Sequence, residues 1–329
     1  MRTLWTVIAA AAMGVAFASG AHAQALSGTL TLYTSQPEAD ARRTIEGFNR
    51  LHPGVRVETF RSGTTEVMNR LQAEFSARAP QPDVLLIADA MTMAQLKQDN
   101  RLAAYREADV SLLPPGSYDA DRTWFGTKRI TTGILVHANA PFQPESWADL
   151  ARPEAQGQVV MPSPLYSGAA AIHFGTLGAD PALGWPWIER LARQRAIAVR
   201  GNGQVLRSVA TGERMFGVIV DFMGLNEQAK GAPVRFIFPR EGVTGITEPV
   251  AMLSTARNPA AARAFIDFLL SRAGQDLSVA MGYMPIGRGV PAPATFPALE
   301  TVKLLESDIQ MLLRTDEQTK ERFANLFGG

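Results

Sequence analysis

The chain has 329 residues, of which 46% are hydrophobic, 19% are charged and none is cysteine. That is enough apolar material for about two domains with sizeable cores, and it excludes a wholly disordered chain. Lys plus Arg number 32 against 31 Asp plus Glu, so the basic excess usual for nucleic-acid binding is missing, and the lack of cysteine excludes disulfides, thiolate metal sites, cysteine nucleophiles and a lipid-modified cysteine.

At the N-terminus, Arg2 precedes a run from Leu4 to Ala18 that is small or apolar except for Thr6, and Ser19-Gly20-Ala21-His22-Ala23 ends in an Ala-x-Ala pattern. This reads as a secretory signal over residues 1–23, cleaved after Ala23. A membrane anchor is the competing reading, but about 15 residues fall short of the roughly 20 a span requires. Cleavage leaves 306 residues and removes Arg2, so 31 basic residues balance 31 acidic ones. With no cysteine to carry a lipid, the expected location is the periplasm, untethered.

Thr29 to Tyr33 alternates polar and apolar residues and predicts a strand. Pro37 suits a first helical turn, and Ala41, Ile45 and Phe48 form a helical stripe that stops at His52-Pro53-Gly54. Val55 to Phe60 predicts a second strand, and Ser62-Gly63-Thr64-Thr65 opens a helix with Met68, Leu71 and Phe75 on one face. Val84 to Ile87 is a continuous apolar strand, as in a sheet covered on both faces. Such alternation implies βαβ units and a mainly parallel sheet.

The pattern changes around Phe125 to Gly133. A strand is expected at Ile134 to Val136, then a capping box at Ser146-x-x-Asp149 and a strand at Val159 to Met161. An alanine-rich helix follows Ser167-Gly168, and a helix covers Trp185 to Arg193. Ile197 to Val199 is a strand, and Gly201-Asn202-Gly203 leads into a short helix. Phe216 to Val220 is a strand with Asp221 at its end. Further strands are expected at Val250 to Leu253 and Met284 to Ile286, with a helix from Asn258-Pro259 between them and a mostly helical tail from Ala298.

Together, Leu32-Tyr33-Thr34-Ser35, Phe48-x-x-x-His52-Pro53-Gly54-Val55, Pro82-Asp83-Val84, Ser146-Trp147-Ala148-Asp149-Leu150, Gly212-Glu213, the Asn258 to Ser271 helix and Met284-Pro285-Ile286 resemble a periplasmic solute-binding protein of an ABC importer. The similar branch holds binders of ferric ion, 2-aminoethylphosphonate and phosphorylated sugars. The resemblance implies a type II periplasmic-binding-protein fold: two α/β lobes joined by hinge strands, with the ligand cleft between them. Lobe one is expected to comprise residues 26–128 and 250–284, and lobe two residues 129–249 and 285–329. It further implies a monomer, an inner-membrane permease as partner, no cofactor and no enzymatic activity.

Ligands of open α/β sheets sit beyond the carboxyl ends of the strands. That rule selects Ser35 and Gln36, Ser62 with Gly63 and Thr64, Ser167 with Gly168, and Asp221. Hydroxyl-glycine pairs at helix starts suit an anion, because free N–H groups and the helix dipole point outward there. Ser and Thr also cap helices without touching any ligand. Thr132 and Glu248, near the expected hinge, are further candidates, and Asp221 and Glu248 are suited to accept from an amine or hydroxyl. Asp89, Thr131, Tyr166 and Trp124 are weaker ones. Since the whole chain is neutral, attraction for an anion must come from local donors.

Three other functions compete. Ferric-binding relatives place adjacent tyrosines after the strand at Phe216 to Val220. Here the positions read Val220-Asp221-Phe222-Met223, and the five tyrosines include no adjacent pair. A hydrolase would need a triad, but no GxSxG surrounds Ser167 and His173 lies six residues on. A sensor subunit presenting its ligand to a membrane kinase would use the same clamp.

Overall fold

The computed structural model describes residues 26–298 and 301–328, so the export segment expected at 1–23 lies outside the described residues. In chain order the first elements are β1 (Gly28–Thr34), α1 (Glu38–Leu51), β2 (Val55–Arg61), α2 (Thr64–Ser76), β3 (Val84–Leu86), α3 (Ala90–Gln98) and the long β4 (Phe125–His137). Then come β5 (Val159–Pro162), α4 (Gly168–Ala179), α5 (Gly184–Arg193), β6 (Ile197–Val199), α6 (Asn202–Ala210), β7 (Phe216–Val220), α7 (Asp221–Ala229) and β8 (Val234–Ile237). The chain finishes with β9 (Val243–Met252), α8 (Pro259–Leu270), α9 (Arg272–Ala280), β10 (Met284–Pro285), β11 (Leu304–Leu305) and α10 (Ile309–Phe327).

The sheet order is β2-β1-β3-β9-β4-β7-β5-β6. β1 pairs in parallel with β2 and β3, and β5 pairs in parallel with β6 and β7. β9 and β4 run antiparallel between these two groups, from Phe125 opposite Val250 to Thr132 opposite Thr244. Each long strand therefore serves both lobes. Residues 250–252 of β9 pair with β3, and residues 132–136 of β4 pair with β7. In the first lobe, α1 and α8 bury Phe48, Phe265 and Phe268 against one face of the sheet, with Val67, Leu71 and Leu96 in a separate cluster. In the second, one cluster gathers Trp147, Phe174, Trp187 and Phe323, and another Val205, Ile219 and Phe236. At roughly 25 cal/mol per Å² of buried apolar surface, such clusters supply most of the driving force for folding.

The hinge strands are much longer than the residues 134–136 and 250–253 expected from patterning. Thr127, Lys128, Thr131 and Thr132 carry no apolar periodicity, yet all are buried. Buried partners from other elements satisfy them: Thr127 Oγ1 donates to Glu248 O at 2.7 Å, Lys128 forms an ion pair with Glu248, and Thr131 Oγ1 donates to Asp221 at 2.6 Å. α3, α7, α9 and β8 carry no clear sequence signal, and the tail expected to be mostly helical from Ala298 pairs residues 304–305 with β9 before α10 takes up Ile309–Phe327.

Beyond β10, Ile286 packs in the cluster that holds Phe48 and Phe265, and Arg288 N–H donates to Leu112 O at 2.7 Å. Among the described residues, no helix is long and apolar enough to cross a membrane.

Candidate functional site

A cavity of about 370 Å³ opens where the carboxyl ends of the strands from both lobes face each other. Ser35 follows β1, Arg61 ends β2 with Ser62 next, and Ala88 follows β3. From the other lobe come Tyr166 and Ser167 after β5, Arg200 after β6, and Val220 at the end of β7. Parallel pairing puts all these ends on one side of each half-sheet, which is why residues distant in sequence meet here.

Helix starts add donors. α2 begins behind Gly63 and α6 behind Gly201, neither with a side-chain cap, so their first-turn N–H groups lack that partner. α4 is capped by Ser167, whose Oγ accepts from Ala170 N–H at 3.3 Å and keeps its own hydrogen to donate.

Three guanidinium groups line the same space: Arg61, Arg200 and Arg207. Arg61 Nε donates to Gln36 O at 2.6 Å, which fixes one edge of the group. Arg200 lies 4.8 Å from the centre of the Tyr166 ring and forms an ion pair with Glu66 of α2, across the cleft. Glu66 also accepts from Ser62 Oγ.

The floor is built differently. Glu248 lines the cavity but is only 2% exposed, and its partner Lys128 only 1%. Gln36 Nε2 donates to Glu248 Oε2 at 3.3 Å. The Lys128 ammonium sits 4.7 Å from the centre of the Tyr283 ring, Tyr283 Oη donates to Asp40 at 2.7 Å, and the ring stacks on Phe222 with centroids 4.0 Å apart. Burial pushes the Glu248 carboxyl up from its ordinary range, against the pull of Lys128. Burial together with Asp40 and Glu248 holds the Tyr283 phenol well above its usual value.

Of the residues expected from sequence, Ser35, Ser62, Gly63, Thr64, Ser167 and Glu248 line the cavity, and so does Tyr166. Gln36, Thr132, Gly168 and Asp221 do not. Gln36 is buried beside the floor, and Thr132 lies within the sheet between Val220 and Thr244. Gly168 packs against the backbone of Ala88. Asp89 caps α3, and Trp124 packs beside the Val67 cluster.

Asp221 lies behind the cavity wall and does not line it. It is fully buried, and its carboxylate accepts from Thr131 N–H at 2.8 Å, Thr131 Oγ1 at 2.6 Å and Phe222 N–H at 2.6 Å. As the first residue of α7, its side chain turns inward and ties the helix to the hinge strand. Burial without a cation pushes its carboxyl up to about 7.

The arginines were missed. Arg61 and Arg200 each stand at a strand end, the same positional signal that selects the serines. Arg207 lies one and a half turns into α6 and carries no positional signal of its own. The Ser167–His173 pairing needed for a hydrolase does not form. His173 is fully buried, bonds through Nδ1 to Thr244 Oγ1 at 2.9 Å, and is pushed down to about 3 by burial. Among the described residues, no three His, Cys, Asp or Glu side chains gather to hold a metal ion.

Residues 30–284 match the family model of the bacterial extracellular solute-binding proteins. A probable ABC transporter periplasmic-binding protein of Sinorhizobium fredii is 26% identical over 261 residues, covering 74% of this chain and 70% of its own length. Among solved structures, the periplasmic binding protein AfuA of Actinobacillus pleuropneumoniae, with fructose-6-phosphate bound, superposes with a TM-score of 0.83 at 20% identity, over 92% of this chain and 99% of that one. Iron-bound HitA of Pseudomonas aeruginosa superposes at 0.77, also at 20% identity, over 90% and 99%. The chain therefore has the two-lobed periplasmic-binding-protein fold and belongs to the bacterial extracellular solute-binding protein family.

Proposed function

We propose that this protein captures a small organic anion in the periplasm, one that also carries hydroxyl or amine donors, and delivers it to an inner-membrane ABC permease. The observation that carries the reading is the set of three arginines around one cavity together with the open starts of α2 and α6. A phosphate, phosphonate or carboxylate meets charge-assisted donors there, each of which is worth roughly 1.5–3 kcal/mol. Glu248 on the floor then accepts from the other end of the ligand. Because Lys128 neutralises that carboxylate, the floor suits a hydroxyl at least as well as an ammonium, and both a phosphorylated sugar and 2-aminoethylphosphonate remain within the class. The fructose-6-phosphate held by a protein of the same fold supports this choice of probes.

Iron is the second reading, favoured by HitA and by the two tyrosines in the cavity wall. Against it, Tyr283 already donates to Asp40, and a ferric ion would bring three positive charges beside three arginines. Titration calorimetry with fructose-6-phosphate, glucose-6-phosphate, 2-aminoethylphosphonate, simple carboxylates and ferric ion tests the proposal. Binding of at least one organic anion, weakened about tenfold or more in Arg207→Ala, is expected. Tight ferric binding with no response to any organic anion overturns it.

A further inference from the structure

In this structure the two lobes touch each other directly, and two of the touching points are glycines. Gly63 precedes α2 in lobe one, and a Cβ there would stand 2.8 Å from Tyr166 O of lobe two. Gly168 opens α4 in lobe two, and a Cβ there would stand 2.8 Å from Ala88 O, 2.9 Å from Asp89 Cβ and 3.2 Å from Thr64 Cγ2, all of lobe one. Real Cβ atoms essentially never approach other atoms closer than 3.0 Å. Two of these four obstacles are main-chain oxygens and a third is a Cβ fixed directly to the main chain, none of which can swing aside as the end of a flexible side chain can.

Neither glycine is needed for its own backbone. Gly63 has φ −63° and ψ 154°, which any residue adopts, and Gly168 starts an ordinary helix. Their lack of a side chain therefore matters for the contact between the lobes and not for the fold of either lobe. A buried apolar cluster continues the seam: Met91 of α3 lies in the same cluster as Ala169 of α4 and Leu312 of α10.

The geometry points to Gly63 and Gly168 as positioning residues, one from each lobe, that set how far the clamp can close. The apparent affinity for any ligand held between the lobes then scales with the fraction of the protein that can close this far. A side chain at either position is a wedge. It leaves each lobe folded and holds the lobes apart, more so as its volume grows from Ala to Val.

The chain has no cysteine of its own, so a single pair of spin labels can be placed without background. Gln72→Cys on α2 and Arg193→Cys on α5 put one label at an exposed position on each lobe. Pulsed electron paramagnetic resonance on the full, ligand-free chain then reads the distance between lobes. The unsubstituted glycines are expected to give a short-distance population that shrinks in Gly168→Ala and Gly63→Ala and is lost in Gly168→Val and Gly63→Val. The forced contact typically costs 1–3 kcal/mol, a shift of roughly fivefold to a hundredfold in closed against open. Thermal unfolding midpoints should stay within a few degrees of the parent, which a purely structural role for the glycines would not allow.

Gly203→Ala is the control, because a Cβ there meets nothing within 4 Å although the residue lines the same cavity. It should leave the distances unchanged. Identical distributions in the parent and the wedge variants, whether all short or all long, overturn the inference, as does a control shift as large as the wedge shift. The readout uses no ligand, so it stands or fails separately from the proposed organic anion.

Discussion

The rim and the floor of the cavity carry charge in opposite ways. At the rim, Arg200 is 63% exposed and faces Glu66 at 36%. At the floor, Lys128 and Glu248 are both almost completely buried. An exposed ion pair is screened by water and salt and contributes about 0–1 kcal/mol. A buried pair costs several kcal/mol to desolvate and regains it only while both partners are present. The rim can therefore exchange partners when a ligand arrives, whereas the floor is fixed before the ligand arrives.

Breaking the floor should give the largest effect. Lys128→Met strands Glu248 in an apolar setting, and a loss of about 3–5 kcal/mol in unfolding free energy is expected. Guanidinium titration measures it. Lys128→Met combined with Glu248→Met should recover most of the loss, because no unpaired charge remains buried. A single substitution costing less than about 1 kcal/mol would mean the pair is solvated and the contrast with the rim is false.

Asp221 sharpens the comparison from another side, since it is as buried as Glu248 but has only neutral donors around it. Its carboxyl is raised to about 7, against an ordinary value of 3.8. Between those values the unfolded chain releases this proton while the folded one keeps it. The folded state thus loses stability as pH rises from about 4 to about 7 and changes no further above that range. The stability of the parent minus that of Asp221→Asn, in which this titration is absent, should fall across that window. A difference that stays constant from pH 4 to 8 would show that Asp221 is ionised throughout.

These contrasts also explain what the sequence made legible. In lobe one, alternation at Thr29 to Tyr33 and the stripe of Ala41, Ile45 and Phe48 each match a single period, and the corresponding elements form where expected. The hinge strands lack that signal because Thr127 and Lys128 bury polar groups against Glu248 and Thr131 against Asp221, and pairwise satisfaction leaves no trace in periodicity. The site loops were legible through hydroxyls, glycines and strand ends. Asp221 satisfied the same rule and was misread, since nothing local shows that a strand-end carboxylate turns inward onto Thr131 ninety residues away. Gly63 and Gly168 stand in the hydroxyl-glycine pairs that sequence assigns to an anion, and the atoms that crowd them most closely belong to the opposite lobe.

The smallest expected effect tests the rim itself. Glu66 holds Arg200 across the cleft, so Glu66→Gln removes an interlobe attraction and at the same time frees a guanidinium and deletes a negative charge from the cavity wall. The lost attraction is worth no more than about 1 kcal/mol at such exposure, whereas a new charge-assisted bond from Arg200 to an anion is worth roughly 1.5–3. The second change therefore outweighs the first, and a hexose phosphate should bind about twofold to tenfold more tightly at low salt. Because the gain is electrostatic and near the surface, it should shrink as salt rises and the Debye length falls below about 8 Å. Weaker binding in Glu66→Gln, at any salt, would mean that the pair acts mainly as a latch between the lobes. The rim would then be a fixed part of the closed state, as the floor is, and its exposure would no longer mark it as the part that exchanges partners.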